Sequence, residues 1–237
     1  SPLASSGLPS KNELELLNVW KDEIPAEVFT ETFTPPITDG SGNDRKNLLK
    51  AKEILEKEGW FVEDGKLVKD GKEFKFEFLI VSPSDEKIAL AYQSNLKKLG
   101  ITMDVRTVDS SQYQERLLSY DFDMIKRYWG VSLSPGNEQQ FYWGSEVGQK
   151  DGSRNYPGIN SPAVDALIEK LISATNREEL TTAIHALDRV LLWGHYVVPL
   201  YHSNKDRIAY WDFFEYPDEI PLYGIVIESW WINKDKQ

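Results

Sequence analysis

An α/β fold, built on a mostly parallel sheet with helices on its faces, is what this 237-residue chain predicts. Between Asn43 and Ile125, segments with a two-residue apolar period alternate with segments whose apolar residues recur at three and four. Tight turns separate them, and strand–helix–strand–helix–strand joined in this way calls for right-handed crossovers. The last strand empties into Tyr128-Trp129-Gly130 with no helix-forming run behind it. Ligands of such sheets sit beyond the carboxyl ends of the strands, and loops on a rigid scaffold carry binding residues. The pattern points to a binding protein before an enzyme.

The first forty residues read as a connector that runs extended over a surface rather than building a core. Leu8-Pro9-Ser10 and Thr34-Pro35-Pro36 enclose one short helical run, about Lys11 to Trp20, before the turn residues Thr38 to Asn43. Asn43 or Asp44 caps the next helix, whose stripe is Leu48, Ala51 and Leu55 and whose stop is Gly59. Asp64-Gly65 and Asp70-Gly71 flank Leu67-Val68, which predicts a small hairpin. Phe74, Phe76 and Phe78 then alternate with charged residues in a half-buried strand that finishes in Leu79-Ile80-Val81.

Ser82-Pro83 opens a helix with the stripe Ile88, Tyr92, Leu96 and Leu99, ended by Gly100. Ile101, Met103 and Val105 make another strand, Asp109 caps a short helix carrying Tyr113 and Leu117, and a strand follows over Phe122–Ile125. After the loop come two helices. Ser161-Pro162 starts the first, with Val164, Leu167, Ile168 and Leu171 inward. Asn176 and Glu179 form a capping box for the second, with Leu180, Ile184, Leu187 and Leu191 inward. Tyr196 to Tyr201 reads as a strand with Pro199 at its edge or end. The aromatic segment from Ala209 onward needs something to pack against.

Composition removes several function classes. A formal net charge of -11 argues against a nucleic-acid footprint, which requires a basic face. The absence of cysteine excludes disulfides, thiolate metal sites and cysteine nucleophiles. No apolar run reaches the roughly 20 residues that span a bilayer. The opening residues Ser1 to Gly7 lack the basic and apolar regions of a signal peptide, so the chain is expected to be the middle of a longer protein.

Catalytic motifs are equally sparse. The three histidines, His185, His195 and His202, fall in no metal-hydrolase spacing, and neither a serine elbow nor a phosphate-cradling loop occurs. No catalytic residue, metal or cofactor is therefore expected. Asp121 and Asp123 bracket Phe122 and would leave one face of a strand, which keeps open an enzymatic alternative: a carbohydrate-active hydrolase, or a glycan-binding module, using tryptophan platforms. Among eight tryptophans, Trp60 and Trp193 are read as packing residues, and Trp129 and Trp143 as equally candidates for ligand contact. A third alternative is a partner-binding module that docks through the aromatic tail.

Several stretches together resemble the family-5 solute-binding proteins of ABC transporters, the peptide and nickel branch. They are Lys50 to Trp60, Leu96 to Arg106, Tyr113 to Leu117, Asp121 to Met124, Arg154 to Gly158 and Val198 to Tyr201. Ala4 to Pro9 and Ser132 to Gln139 look closest to the oligopeptide and microcin C uptake group. The resemblance implies a type II periplasmic-binding-protein lobe from the carboxyl-terminal portion of a bilobal periplasmic receptor. It implies an extended connector over residues 1–43, an α/β ligand-binding lobe over 44–198, and a segment over 199–237 returning towards a first lobe. The implied partners are a peptide or peptide-like ligand, an ABC permease in the inner membrane and the missing amino-terminal lobe, with no nucleic acid. The implied ligand-binding residues are Tyr128, Trp129, Gly130, Val131, Ser132, Leu133 and Ser134. Tyr128 to Ser132 fall where peptide-binding relatives place Trp-x-x-Asp, so Ser132 stands where an aspartate pairs with the peptide ammonium. A hydroxyl brings no charge, which favours a modified or blocked peptide, or another oligomer altogether.

Overall fold

The computed structural model describes residues 3–129, 134–148, 150–200, 207–219, 221 and 224–236. Two compact units divide the chain, Ser1–Tyr196 and Val197–Gln237.

The first unit opens with α1 (Lys11–Leu17), capped by Ser10, whose hydroxyl accepts the Glu13 N–H at 3.3 Å, and continued by a 3₁₀ turn over Asn18–Trp20. A short α2 (Glu27–Thr30) follows. These elements do build core. Leu17, Ile24 and Val28 are buried in one cluster with α8 (Pro162–Ile172) and α9 (Arg177–Trp193). The expectation of a connector that builds no core is thus corrected for residues up to Thr30. The Pro-rich composition hid a three-residue apolar set that closes over a helix pair. Two side chains of α9 hold the segment down. Asp188 accepts the Ser5 N–H and hydroxyl at 2.8 and 2.7 Å. Arg189 donates to Glu13 at 2.6 Å and to the carbonyls of Gly7, Ser6 and Leu8.

Helix α3 (Arg45–Lys57) starts at Asp44, as read from sequence. Its stripe of Leu48, Ala51 and Leu55 is only half-buried, and no residue of α3 is fully buried. Both Asp-Gly pairs have positive φ at each residue, 49° and 80° for Asp64-Gly65 and 50° and 73° for Asp70-Gly71. That is the geometry of tight hairpin turns. They join β1 (Phe61–Glu63), β2 (Lys66–Lys69) and β3 (Lys72–Glu73) into an antiparallel meander, one strand more than a hairpin. The meander is fastened at Gly100, whose φ of 80° and missing Cβ admit the Leu67 backbone; a Cβ there would lie 2.8 Å from the Leu67 nitrogen.

The main sheet is parallel, with β4 (Lys75–Ile80) between β5 (Thr102–Thr107) and β6 (Met124–Ile125). Helix α4 (Pro83–Lys97) connects β4 to β5, and α5 (Ser110–Leu118) connects β5 to β6. The chain steps to one side of β4 and then back across to the other. Right-handed crossovers therefore place the two helices on opposite faces. The burial pattern agrees: Phe78 and Ile80 pack with Ala89 and Leu96 of α4, while Leu79 packs with Tyr113 and Leu117 of α5. Strand β6 is shorter than the four residues expected, so Asp121, Phe122 and Asp123 lie outside the ladder.

Beyond the loop, α6 (Glu138–Trp143) and α7 (Ser145–Gly148) precede α8 and α9, where only two helices were expected. Asn176 caps α9 by accepting the Glu179 N–H at 3.0 Å. The Glu179 carboxylate takes the Thr175 N–H instead of that of Asn176, and this bond holds it below the usual glutamate range. The strand expected over Tyr196 to Tyr201 is not formed over residues 196–200, and Tyr201 lies outside the described residues. Pro199 cannot donate to a ladder.

Among the described residues of the second unit, β7 (Phe214–Glu215) pairs antiparallel with β8 (Trp231–Ile232). Tyr210, Tyr216 and Trp230 gather at 5.0 to 5.8 Å between ring centroids, beside a cavity of ≈ 120 Å³ lined also by Ile208 and Val226. Trp211, 73% exposed, stays outside this packing.

Candidate functional site

The carboxyl ends of β4 and β6 and the first turn of α4 meet at one edge of the main sheet. Because the crossovers from β4 and to β6 leave on opposite faces, this edge is the switch point where open α/β sheets form a crevice. Three sequence features build it. Ser82 caps α4 by accepting the Ser84 N–H at 3.2 Å, and Pro83 sits at the first helical position. This aims Asp85, in the first turn, at the end of β6. After Ile125 the chain continues without ladder bonds through Lys126, Arg127, Tyr128 and Trp129.

Lys126 and Asp85 form an ion pair that is nearly closed to water, with side chains 12% and 13% exposed. The bond from Asp85, with a smaller contribution from Tyr128, pushes the Lys126 ammonium up to about 12. The ammonium also lies 5.2 Å from the centre of the Tyr128 ring. Tyr113 of α5 donates to the Lys126 carbonyl at 3.2 Å. Burial raises its hydroxyl above the ordinary tyrosine range.

Arg127 is held differently. Its guanidinium donates to the Tyr156 hydroxyl at 3.1 Å and lies 4.8 Å over that ring. Its Nε is buried without a hydrogen-bond partner among the described residues. Tyr156 is positioned by Asn155, which is fully buried and ties its loop to neighbouring backbone. The amide donates to the Gly144 and Ile159 carbonyls at 3.0 and 2.8 Å, and accepts the Ile159 N–H at 2.9 Å.

Trp129 stacks on Trp143 of α6 with ring centroids 5.3 Å apart and 28° between planes. The Trp143 indole donates to Gln139 at 3.0 Å, whereas the Trp129 indole nitrogen is buried without a partner among the described residues. Tyr128 is 75% exposed and Ser134 is exposed. Of the residues expected to bind ligand, Gly130, Val131, Ser132 and Leu133 lie outside the described residues. Asp85, Lys126, Arg127 and Tyr156 were missed as site residues. The available signal was the run of two cations and two aromatics immediately after a strand.

Asp121 and Asp123 do not stand as an acid–base pair on a strand. Asp121 pairs with Arg116 at 2.8 Å, and Asp123 accepts the Glu77 N–H at 2.8 Å. Trp60 and Trp193 are packing residues, against Phe74 at 4.8 Å and Phe33 at 5.2 Å respectively. His185 is 3.6 Å from Glu13 beside the helical core. No group of three or more potential metal-binding residues occurs among the described residues. No helix of the described residues is long and apolar enough to cross a membrane.

Comparison with known proteins bears on this arrangement. An uncharacterized protein of Sinorhizobium fredii, y4wM, is 50% identical over 97% of this chain and 35% of its own length. The probable peptide-binding protein YejA of Agrobacterium fabrum is 43% identical over 99% of this chain and 39% of its own length. The peptidoglycan-binding protein YepA of the same organism is 40% identical, over 98% and 38%. The chain thus spans less than two-fifths of these relatives. Among solved structures, the oligopeptide-binding protein AppA of Bacillus subtilis, in complex with a nonapeptide, matches with a TM-score of 0.58 and 23% identity. The match covers 78% of this chain and 38% of that one. That likeness carries the fold, an α/β lobe of the type II periplasmic-binding-protein kind, in agreement with the parallel sheet and its flanking helices. The model of the bacterial extracellular solute-binding proteins, family 5, middle region, matches residues 19–151, and the chain belongs to that family.

Proposed function

We propose that this chain is the ligand-binding lobe of a substrate-binding component of an ABC importer. It captures peptides or peptide-like compounds in an inter-lobe cleft and delivers them to a membrane permease. The observation that carries the reading is the switch-point edge. There an unladdered stretch of backbone, Lys126 to Trp129, with an exposed tyrosine and a stacked indole pair, follows the end of a parallel strand. Backbone free of ladder partners can bond an extended peptide, and water-filled space around it tolerates varied side chains.

Tyr128 to Ser134 line the cleft in this reading, residues 44–198 form the lobe, 1–43 lead into it, and 199–237 return towards a first lobe. The protein works in the periplasm and performs no catalytic step. The ligand class finds support in the names of two relatives, one probable peptide-binding and one peptidoglycan-binding, since peptidoglycan carries modified peptides.

Native mass spectrometry of the purified full-length protein tests the proposal. The expected result is a bound mass, or family of masses, that fragments as peptide and dissociates when the protein unfolds. A sole bound species without amide bonds would refute the peptide reading.

A further inference from the structure

Resting on that reading, we propose that Asp85 is a positioning residue of the site: through Lys126 it holds the exposed Tyr128 ring as a fixed wall for the ligand. Asp85 stands in the first turn of α4, whose capped start follows directly from β4, so the sheet sets its place. Its carboxylate meets the Lys126 ammonium, 41 residues away in sequence, in a pair that water hardly reaches. The ammonium in turn lies 5.2 Å from the centre of the Tyr128 ring. Among the described residues no other ring, charge or polar side chain holds Tyr128, which is 75% exposed. The support of this ring therefore runs back through one lysine to one carboxylate.

An exposed tyrosine attached only by its own backbone samples several rotamers, and fixing one of them on binding costs affinity. A cation against the ring, itself clamped by a buried carboxylate, does that fixing before the ligand arrives. The backbone beneath is secured separately. Tyr113 of α5 donates to the Lys126 carbonyl at 3.2 Å, from the face of the sheet opposite α4, and Arg127 is seated on Tyr156. Removing the Asp85 charge thus frees a lysine side chain, and with it a ring, without releasing the end of the strand. That separation makes the effect on the ligand local.

The test uses full-length protein freed of ligand and one tryptic peptide digest, with capture read by mass spectrometry as the half-saturating digest concentration. Asp85→Asn is expected to raise that concentration about three- to tenfold, the scale of one side chain left for the ligand to order. Asp85→Glu, which keeps the charge, is expected to recover part of the loss. Tyr128→Ala is expected to raise the concentration at least as much as Asp85→Asn. In the double variant, Asp85→Asn should add less than about twofold to Tyr128→Ala, because the ring through which it acts is gone. Effects that multiply in the double variant would show Asp85 acting through general stability and overturn the proposal. Unchanged half-saturation in either Asp85→Asn or Tyr128→Ala overturns it too, and leaves the peptide reading intact. Capture of no peptide by the wild type sinks the peptide reading itself and the proposal with it. If Asp85→Asn does not fold, Lys126→Met, which keeps the stem and removes the ammonium, takes its place in the same cycle.

Discussion

Arg189 and Arg127 belong to the same compact unit and are held in opposite ways. Arg189, on the helical side, has its Nε on Glu13 at 2.6 Å and its terminal nitrogens on the carbonyls of Ser6, Gly7 and Leu8. It is 4% exposed, and every edge of the fork is engaged. Arg127, at the sheet edge, has one hydrogen bond to a phenol, a ring beneath it and an Nε with no partner among the described residues. The first arrangement closes a fold: it staples an incoming segment onto α9 and satisfies what it buries. The second leaves a buried donor without a partner among the described residues, at the edge where the topology opens a crevice.

The largest effect that can break this contrast is Arg189→Ala. It strands the 5% exposed Glu13 carboxylate and frees three carbonyls, so unfolding free energy should fall by about 3–5 kcal/mol. Urea denaturation followed by circular dichroism measures it, and a loss below about 1 kcal/mol would show that the staple is ornamental.

Asp85→Asn is the intermediate case, because it strips Lys126 of its partner at the site itself. The expected loss is about 1–3 kcal/mol at neutral pH. Since Lys126 is raised from 10.5 to about 12 in the folded protein, the pair contributes fully below about pH 10.5 and fades as pH rises through about 12. The gap in urea midpoint between wild type and Asp85→Asn should therefore be flat to pH 10.5 and close above it. A gap that widens with rising pH would contradict the ion pair as its source.

The smallest effect is the sharpest. Arg127→Gln removes the bond to the Tyr156 hydroxyl and the contact with its ring but no ion pair, so stability should fall by about 0.5–1.5 kcal/mol, well short of the loss from Arg189→Ala. A loss matching that of Arg189→Ala in the same urea experiment would erase the distinction between the two arginines.

Much of this architecture could be read from local chemistry. The Asp-Gly turns, the caps at Asp44, Asp109, Ser161 and Asn176, and the inward stripes of α8 and α9 depend on residues within a few positions of one another. Asp109, for instance, accepts the Ser111 and Gln112 N–H groups, both at 2.9 Å. What escaped was non-local. The order of β5, β4 and β6 depends on pairings between segments far apart in sequence. The length of β6 depends on a bond to another strand, because the Asp123 carboxylate takes the Glu77 N–H of β4 just before the first rung. Leu17, Ile24 and Val28 could not be placed in a core without α8 and α9, more than a hundred residues later. The site followed the same rule. Trp129 stood out as an aromatic at a strand end, but the states of Lys126 and Arg127 are decided by Asp85 and Tyr156, 41 and 29 residues away.

Strand β6 consists of two rungs, Phe78 opposite Met124 and Leu79 opposite Ile125. Side chains alternate from face to face, so sliding this short ladder by a single residue would exchange the sides of everything that follows it. Lysine would then take the outlook of arginine, and tyrosine that of tryptophan. Two pairings of backbone thus set which side of the segment carries the paired lysine and which carries the arginine that has no ion-pair partner among the described residues. An insertion or deletion of one residue between Asp123 and Lys126 should invert that polarity while leaving the composition of the edge almost untouched.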